Sequence, residues 1–338
     1  MIEVSAGIIR GADGRILVCR RGEGRRNAHL WEFPGGKREN GEDAAACLRR
    51  ELMEELSLPV ENLRICHTGE AEGIRFTFLS GTTHAAPVAA EHEEVRFSAA
   101  RDLLPLPFCP ADEPVARALA LSEPPLTDFF WDYDGTVFDT YPVMTAAFMR
   151  ACTLQGLSIS AAETLPLLKT SLGEAVRNVS TAHALDAERL YRDFRAIEAE
   201  TPVRDLPPIP GIGELLRTLH EKGHRHYLVT HRDRAALRAL EAKGLLTLFT
   251  GWVTEEDGFP RKPDPTSVLH LLSAHGVRPE QACMIGDRPL DVEAGRRAGL
   301  LGCLLDREGF FPGAACDLVV GGAEELTALL RLSAALNG

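Results

Sequence analysis

The sequence predicts an α/β protein built from two domains in tandem, and three observations lead to this prediction. The chain has 338 residues, which is long for a single hydrophobic core. The stretch SEPPLTD at 122–128 is rich in proline and polar residues, as linkers between domains are. The pattern of strands and helices also changes at this stretch. We therefore predict one domain over 1–123 and a second over 124–338.

The first domain is predicted to contain short strands around one strong helix. Its opening hairpin has apolar runs at 2–10 and 16–19, with the turn sequence Ala-Asp-Gly at 12–14 between them. Apolar residues spaced by three or four predict a helix over 43–56. Three further strand-like stretches and a second helix follow, at 63–68, 74–80, 94–98 and 112–121.

The second domain alternates strands with helices, which predicts a doubly wound parallel sheet. Strand-like runs occur at 128–131, 226–229, 282–285 and 317–320. Helical patterns fall between and after them, near 212–222, 233–243, 265–275, 289–298 and 323–335. The long interval between the first two strands carries helical patterns only, from 143 to 200, and is too long for a simple crossover. We predict an inserted all-helical cap over about 141–205.

The composition of the chain indicates which classes of binding partner to expect. The net charge of −12, without a run of basic residues, disfavours binding to nucleic-acid polymers and to anionic membranes. Small phosphorylated molecules stay compatible, because a divalent cation inverts the local charge. The eight cysteines form no C-x-x-C pair, which favours buried thiols in a reducing compartment. The sequence opens as a strand and has no membrane-spanning stretch, so we expect a cytoplasmic protein. No pattern predicts an oligomeric state.

The helix at 43–56 carries the first cluster of carboxylates. Glu51, Glu54 and Glu55 are three or four residues apart, or adjacent, and therefore share one helical face. Carboxylates that converge in this way repel one another unless a cation lies among them, and Mg²⁺ prefers such oxygen ligands. A solvated acidic face is the alternative interpretation. The flanking sequence WEFPGG at 31–36, a strand end followed by a tight turn, favours the metal site.

From Gly36 onward, the spacing G-x5-E-x7-R-E-L-x-E-E-x-x-L resembles the signature of the Nudix hydrolases. One position departs from it, because Ser57 stands where the family usually has glycine. The resemblance covers the first domain and implies an α/β/α sandwich with a mixed sheet. The stretches WEFPGGK and CPADEPV are similar to those of MutT-type and CTP-pyrophosphohydrolase-like members. Those enzymes cleave nucleoside triphosphates to monophosphate and pyrophosphate.

The Nudix resemblance also implies roles for single residues. Glu51, Glu54 and Glu55 would hold Mg²⁺, or Mn²⁺, and Arg50 would orient their carboxylates. Catalytic roles fall to Glu54, Glu55 and Arg50, whereas Arg21 and Gly36 would lie on the substrate side. Glu91 matches a further acidic position that binds metal or activates water, so either Glu54 or Glu91 is the water-activating group.

Asp112 has two interpretations that the sequence leaves open. It lies where Nudix relatives place a residue that reads the edge of the base, and an ionised carboxylate there accepts hydrogen bonds only. An acceptor suits a base that presents an amine, such as cytosine. Alternatively, Asp112 caps the helix that begins at Glu113, which is a preferred role for aspartate.

The second cluster of polar residues follows the strands of the second domain. In DYDGT, Asp132 and Asp134 leave the end of the first strand on the same side. Doubly wound sheets bind their ligands at this end of the strands. The remaining groups come in order along the chain, at Thr230, Lys262, Asp287 and Asp291. A nucleophile, a second acid, two phosphate-binding groups and an acidic pair are together suited to phosphoryl transfer.

This set resembles the four motifs of the haloacid dehalogenase superfamily, and the cap resembles that of the phosphoglycolate-phosphatase-like branch. The resemblance implies that Asp132 attacks phosphorus, Asp134 acts as acid and base, and Thr230 and Lys262 hold the phosphoryl oxygens. Mg²⁺ would bind Asp132, the backbone of Asp134, and Asp287, with Asp291 in support. Lys169 is a candidate for substrate binding from the cap. The cap shows no strong signature for an anionic substrate, which leaves a nucleoside monophosphate open.

The two clusters together predict a bifunctional, Mg²⁺-dependent hydrolase that acts on small phosphorylated substrates. The alternatives are a phosphatase whose Nudix domain only senses nucleotides, or a second domain that acts as a pyrophosphatase or sugar phosphomutase. The intact Glu51, Glu54 and Glu55 argue against a pure sensor.

Overall fold

The computed structural model describes residues 1–71, 73–202 and 205–336, and they form two compact units. The first unit comprises Met1–Pro125 and Thr327–Gly338, and the second comprises Leu126–Leu326. The sequence analysis placed the segment after Thr327 in the second domain. The structure groups it with the first, because Leu332 and Leu336 pack against the first unit's core. The predicted end of the cap, at about 205, adjoins residues 203–204, which lie outside the described residues.

The first unit contains seven strands and two helices of its own. The strands are β1 (Ile2–Arg10), β2 (Ile16–Arg20), β3 (Trp31–Glu32), β4 (Gly35–Lys37), β5 (Glu61–Ala71), β6 (Ile74–Thr82) and β7 (Glu94–Ser98). The helices are α1 (Ala44–Leu56) and α2 (Glu113–Ser122). All the elements predicted from the sequence are present, and the short strand β4 was not predicted.

The sheet of the first unit is mixed, in the order β3-β2-β1-β6-β5, with β4 paired to β1 and β7 to β2. The β1–β6 pair is parallel, whereas the other pairs are antiparallel. Alternate residues of β2 enter two different cores. Ile16 and Val18 join the core that includes Val115 of α2, and Leu17 and Cys19 join the core of α1. Both faces of the sheet are thus covered, as the predicted sandwich requires.

The second unit contains six strands and most of the helices. The strands are β8 (Asp128–Trp131), β9 (Arg225–Val229), β10 (Phe249–Val253), β11 (Ala282–Gly286), β12 (Leu301–Leu305) and β13 (Leu318–Val320). The cap helices are α3 (Tyr141–Thr153), α4 (Ala161–Thr170), α5 (Leu172–His183) and α6 (Ala187–Glu198). The other helices of this unit are α7 (Ile212–Glu221), α8 (Ala235–Ala242), α9 (Thr266–His275) and α10 (Pro289–Arg297). The last helix, α11 (Ala323–Leu336), begins in this unit and belongs to the first unit from Thr327 onward.

All strand pairs of the second sheet are parallel, in the order β10-β9-β8-β11-β12-β13. The chain moves outward from β8 to one edge and then returns to the other side of β8, so the order reverses beside this strand. The fold is therefore α/β and doubly wound, as predicted. The cap inserted after β8 has its own core, in which Phe148 of α3 packs edge-on against Phe194 of α6.

Two strands, β10 and β12, were absent from the sequence prediction. Each contains a glycine, Gly251 or Gly302, which weakens the strand pattern. The structure shows why Gly302 is needed: a Cβ atom there would run into Val292 and lie 2.9 Å from Cγ of Arg296. The glycine therefore allows α10 to approach the sheet closely.

Several helices end at a glycine with a left-handed backbone conformation, which is a common way for a helix to end. Gly223, Gly244, Gly276 and Gly299 follow helices and have φ angles of 85, 63, 59 and 88°. Ser57, at the position where the Nudix signature has glycine, adopts the same left-handed conformation, with φ of 49°. The serine thus preserves the backbone geometry of the helix end. Among the described residues, no helix has both the length and the apolar composition to cross a bilayer.

Candidate active sites

Three neighbouring strands of the second unit deliver the first candidate site. Asp132 follows the last residue of β8, Thr230 follows β9, and Asp287 follows β11. Because β9, β8 and β11 are adjacent and parallel, their carboxyl ends meet at one edge of the sheet. The three side chains are all buried. The position where the strand order reverses therefore collects the predicted phosphoryl-transfer residues.

Lys262 connects the carboxylates of this site. Its Nζ atom lies 2.5 Å from Oδ1 of Asp132 and 2.5 Å from Oδ1 of Asp291, and all three side chains are at most 2% exposed. Burial and the charge of Asp291 raise the pKa of Asp132 to about 7, although Lys262 opposes the shift. Burial also disfavours the charge of Asp291, but Lys262 and Arg288 outweigh it and lower the pKa of Asp291. One buried ammonium thus compensates two buried carboxylates.

Glycines give these carboxylates room. Gly135 has a φ of 72°, and a Cβ atom there would collide with the Asp287 carboxylate. A Cβ atom on Gly286 would collide with the side chain of Asp291. Both carboxylates therefore lie directly against backbone that only glycine leaves open.

The same carboxylates fit a divalent cation. Within the described residues, Asp132, Asp287 and Asp291 form the one group of three whose ligand atoms all lie within 4.8 Å of one another. Oδ2 of Asp132 and Oδ1 of Asp287 are buried and find no hydrogen-bond donor in the described part of the chain. Oxygen atoms in this state suit Mg²⁺, which prefers carboxylate ligands.

Asp134 differs from its neighbours because an arginine holds it. Arg232 Nε lies 3.0 and 2.9 Å from the two carboxylate oxygens, and the Thr140 hydroxyl donates to Oδ1 at 2.7 Å. Burial disfavours the charge of Asp134, but the guanidinium and these hydrogen bonds outweigh it and lower its pKa. The predicted acid and base is therefore held in a defined orientation.

Lys169, predicted as a substrate-binding residue of the cap, contacts the acidic cluster itself. Its Nζ atom lies 2.8 Å from Oδ2 of Asp287 and 3.3 Å from Oε2 of Glu308. It also stands 4.2 Å from the centre of the Tyr141 ring. The side chain is 5% exposed, so the lysine connects the cap to the metal-ligand set.

A cavity of about 440 Å³ lies between the cap and the strand ends. Asp134, Lys262 and His231 form part of its wall, together with apolar cap residues such as Met144 and Phe194. Four arginines also line it, namely Arg195, Arg232, Arg261 and Arg288. The sequence analysis expected no strong signature for an anionic substrate. That expectation concerned the cap, which supplies Arg195, whereas the other three arginines come from outside the cap.

Two histidines near β9, His226 and His231, form hydrogen bonds within the fold. His226 is fully buried, accepts from Trp131 Nε1 at 3.0 Å and donates to the Leu216 carbonyl at 3.0 Å. Burial lowers its pKa to about 4. His231 accepts the backbone N–H of Lys262 at 2.8 Å, and burial and the charge of Lys262 lower its pKa to about 3. Both are neutral residues that fix the backbone around the site.

The second candidate site is built on α1 in the first unit. Asp43 caps the start of this helix, with its side chain accepting from the N–H of Ala46 at 2.7 Å. One turn later, Arg50 forms a bidentate pair with Glu42, at 3.0 and 3.1 Å. Its Nη1 atom also donates to Glu51 at 3.0 Å and to Glu54 at 3.1 Å. Arg50 therefore contacts the carboxylates that it is predicted to orient.

Gly36 has a steric role in this site. A Cβ atom at this position would collide with the Glu51 carboxylate. The residue predicted on the substrate side is thus the point where Glu51 lies against the backbone of β4. Glu51, Glu54 and Glu55 do not form as tight a group as the aspartates within the described chain. Arg50 holds Glu51 and Glu54, whereas Glu55 turns toward His92.

Glu55 lies among other acidic groups and a buried histidine. His92 Nε2 is 3.8 Å from Oε2 of Glu55 and 3.4 Å from Oε1 of Glu32. Burial raises the pKa of Glu55 to about 7, with Glu51 and Glu32 adding to the shift and His92 opposing it. A carboxyl group with a pKa near neutrality is suited to proton transfer or to metal binding.

The remaining predicted residues lie around Glu55. The N–H of Ala90 donates to the Glu55 carbonyl at 3.0 Å, which brings Glu91 to the end of α1. Glu91 itself is half exposed and pairs with Arg25. Arg21 pairs with Glu32 and donates to the Arg26 carbonyl at 2.8 Å.

Asp112 occupies the N-cap position of α2, as one interpretation predicted, but its side chain does not act as the cap. Its side chain makes no capping hydrogen bond, and instead its Oδ1 accepts from the N–H of Phe33 at 3.4 Å. Burial, with the nearby Glu32, raises the pKa of Asp112 well above its usual value. This shift favours the neutral carboxyl, which can donate as well as accept a hydrogen bond, over the ionised, acceptor-only form.

The sequence analysis missed four residues of these sites. Arg232 and Glu198 pair next to Asp134, and Glu32 and His92 flank Glu55. The position of Arg232, two residues after Thr230 at a strand end, was an available signal. The position of Glu32 inside WEFPGG was another. Glu198 lies in an ordinary amphipathic helix, and no local pattern distinguishes it.

Two family models match the chain and meet near the boundary of the units. The NUDIX domain model matches residues 2–119, and the haloacid dehalogenase-like hydrolase model matches residues 129–303. The chain thus belongs to the haloacid dehalogenase-like hydrolases, with a Nudix domain preceding the hydrolase domain. It is a hydrolase by both families.

Curated relatives match the second unit. Pyrophosphatase PpaX of Listeria welshimeri is 28% identical, over 52% of this chain and 81% of its own length. Phosphoglycolate phosphatase of Aquifex aeolicus is 32% identical, over 50% of this chain and 79% of its own. A haloacid dehalogenase-like family hydrolase from Streptococcus pneumoniae has a similar fold, with a TM-score of 0.51 and 21% identity. That match covers 60% of this chain and 97% of the solved structure.

Because the pKa of Glu55 is raised, we predict that the free energy of unfolding depends on pH when a chelator keeps the site free of metal. Because the pKa moves from 4.5 to about 7 on folding, protonated Glu55 stabilises the fold below pH 4.5, and this contribution is lost as pH rises through 7. Glu55→Gln stays neutral, so it should be more stable than the wild type at pH 8, by about 2–3 kcal/mol, and similar at pH 4. The difference in free energy of unfolding can be measured by urea denaturation in the presence of EDTA. Hydrogen exchange in peptides of the first unit reports the unfolding of that unit.

Glu54→Gln is the matched control for this experiment, because Glu54 is on the same helix and its side chain is 60% exposed. It should change stability little at either pH. Equal stability of Glu55→Gln and the wild type at pH 8 would contradict the prediction.

Proposed function

We propose that the chain is a bifunctional, Mg²⁺-dependent hydrolase of small phosphorylated molecules. The first unit cleaves a nucleoside triphosphate to monophosphate and pyrophosphate, and the second hydrolyses a small phosphomonoester. One observation carries the proposal: each unit has its own set of carboxylates, arranged around a positively charged side chain of that unit. Lys262 forms ion pairs with Asp132 and Asp291, and Arg50 forms ion pairs with Glu42 and Glu51.

In the second unit, the reaction proceeds in two displacements on phosphorus. An oxygen of Asp132 forms a bond to phosphorus while the bond to the leaving oxygen breaks, and Asp134 donates a proton to that oxygen. Water then attacks the aspartyl phosphate, Asp134 takes the water proton, and orthophosphate leaves. Lys262 and Thr230 hold the phosphoryl oxygens in both steps. Asp132, Asp287 and Asp291 would hold Mg²⁺, which would supply positive charge to the transferring group.

In the first unit, water attacks phosphorus directly. Glu51, Glu54, Glu55 and Glu91 are the groups that hold the cation or remove the water proton, and the raised pKa of Glu55 suits it to either role. Arg50 keeps Glu51 and Glu54 in place. Asp112, which is buried and accepts a hydrogen bond from the backbone N–H of Phe33, is the group that reads the base.

A second candidate substrate for the second unit is pyrophosphate. Besides Arg195 and Arg232, which pair with Glu198, its cavity is lined by Arg261 and Arg288, and these two favour a substrate with an anionic group besides the phosphoryl group that is transferred. A relative of 28% identity is called a pyrophosphatase, and another of 32% identity a phosphoglycolate phosphatase. Both names describe substrates with a second anion. Hydrolysis of pyrophosphate would draw the first reaction forward.

The proposed setting is the cytoplasm. Each of the eight cysteines is a thiol rather than part of a disulfide, and six of them are buried. This pattern supports a reducing compartment. The acidic net charge of −12 supports small-molecule substrates rather than nucleic-acid polymers.

The two activities should be separable by single substitutions. Glu55→Gln should abolish Mg²⁺-dependent release of pyrophosphate from nucleoside triphosphates and leave hydrolysis of p-nitrophenyl phosphate unchanged. Asp132→Asn should do the reverse, because it removes the nucleophile of the other unit. Each variant is the control for the other. If either substitution eliminates both activities in a folded protein, the bifunctional proposal is wrong.

Asp112 should determine the preference for the base. Asp112→Ala removes the only side-chain group that this position offers the base edge, so the ranking of triphosphates by kcat/KM should change. Asp112→Asn, which keeps a donor and an acceptor, should preserve the ranking. A uniform decrease for all bases with Asp112→Ala would show that the residue is structural only.

The products formed from the preferred triphosphate should show whether the two units act in sequence. We expect free nucleoside and intact pyrophosphate by chromatography, because the second unit removes the phosphate that the first leaves. Monophosphate with two equivalents of orthophosphate would favour the pyrophosphate candidate. Monophosphate and intact pyrophosphate together, equal to the products of Asp132→Asn, would contradict both schemes.

A further inference from the structure

We propose that Arg232 is a positioning residue for the acid and base Asp134, and that Glu198 of the cap holds Arg232 in place. This inference rests on the proposed phosphatase function of the second unit. It concerns a row of alternating charges that runs from the strand ends to the last turn of α6. The members of the row are Asp134, Arg232, Glu198 and Arg195.

The contact between Arg232 and Asp134 fixes the carboxylate in its plane. Nε of Arg232 lies 3.0 Å from Oδ1 and 2.9 Å from Oδ2, and Nη2 lies 2.8 Å from Oδ1. The Thr140 hydroxyl donates to Oδ1 at 2.7 Å. A carboxylate with a single donor rotates about its Cβ–Cγ bond, whereas a guanidinium that engages both oxygens prevents that rotation.

The cap completes the arrangement. Nη1 of Arg232 lies 2.7 Å from Oε1 of Glu198, and Arg195 donates to the other oxygen of Glu198 at 3.0 Å. The exposed fractions of the Arg232 and Glu198 side chains are 20% and 10%, so solvent screens this pair little. The guanidinium therefore has one edge on the core and another on the cap, and the cap contributes to the orientation of Asp134.

The row of charges also forms a wall. Arg195, Glu198 and Arg232 line the cavity of about 440 Å³ and also a neighbouring cavity of about 320 Å³. Asp134 and Lys262 face the larger one. The positive charge of Arg232 is already paired with Asp134 and Glu198. This distinguishes Arg232 from an arginine that has no carboxylate partner and is available to a substrate anion. Its role is thus to orient the acid rather than to bind the substrate.

The chemical consequence concerns the leaving group. A misplaced acid slows departure of an alkoxide, which needs a proton, much more than departure of nitrophenolate, which does not. The relevant measure is kcat/KM, because it covers only the steps up to release of the leaving group. A purely structural role of Arg232, or a role in binding the phosphoryl group, would lower kcat/KM equally for both kinds of ester.

The test compares p-nitrophenyl phosphate with glycerol 1-phosphate in the full-length protein. Arg232→Met should raise the ratio of kcat/KM for the aryl ester over the alkyl ester by about 10-fold or more. Arg232→Lys, which keeps the charge but not the fork, should raise it less. Glu198→Gln should change it in the same direction and by a smaller factor. Arg238→Met, an arginine of the smaller cavity, is the matched control and should leave the ratio unchanged.

Several outcomes would overturn the inference. Equal decreases for both esters with Arg232→Met, in a protein that melts like the wild type, would show that Arg232 does not position the acid. If that variant fails to fold, an unchanged ratio in Arg232→Lys would have the same meaning. An unchanged ratio with Glu198→Gln would remove the cap from the arrangement. A wild-type protein that is inactive on both esters would instead refute the proposed phosphatase function, and this inference with it.

Discussion

The ammonium group of Lys262, buried between Asp132 and Asp291, is the interaction on which the second unit depends. Two carboxylates at this depth cannot both be charged without a cation, and a buried charge that loses its partner is strongly destabilising. The lysine makes the acidic cluster compatible with a folded core. The parallel strands and the glycines beside the carboxylates then determine where that cluster lies. Chemistry and folding therefore impose the same requirement on this residue.

The first unit meets the same electrostatic requirement differently. Arg50 contacts three carboxylates at once, and a planar guanidinium is suited to this because its donors diverge in a fixed geometry. The arrangement is more exposed, and Glu55 stays outside it. As a result, the second unit has a compact trio of aspartates, whereas the first has a looser set in which burial raises the pKa of Glu55 to about 7. Two families thus place carboxylates around cations of different shape.

The sequence predicted the parts of the structure that local patterns encode. The strand ends that deliver Asp132, Thr230 and Asp287 were evident, since apolar runs and their flanking motifs lie close together in the chain. The pairing of Arg232 with Glu198 was not, because it joins a loop to a helix of an inserted cap. The raised pKa of Asp112 follows from burial, which appears only after the chain has folded. The strands with a central glycine were missed because their packing partner, rather than their own sequence, explains the glycine.

The placement of Leu332 and Leu336 in the first unit's core has a consequence for how the protein is made. A ribosome delivers the chain from its first residue onward, and domains generally fold as they emerge. Every strand of the second unit has been synthesised when residue 320 appears. The first unit, whose other residues were synthesised earliest, still lacks the helix segment that covers part of its core. During synthesis, all the described strands of the second unit thus precede the segment that completes the first unit's core, and a chain interrupted before Thr327 would lack the two leucines that pack there.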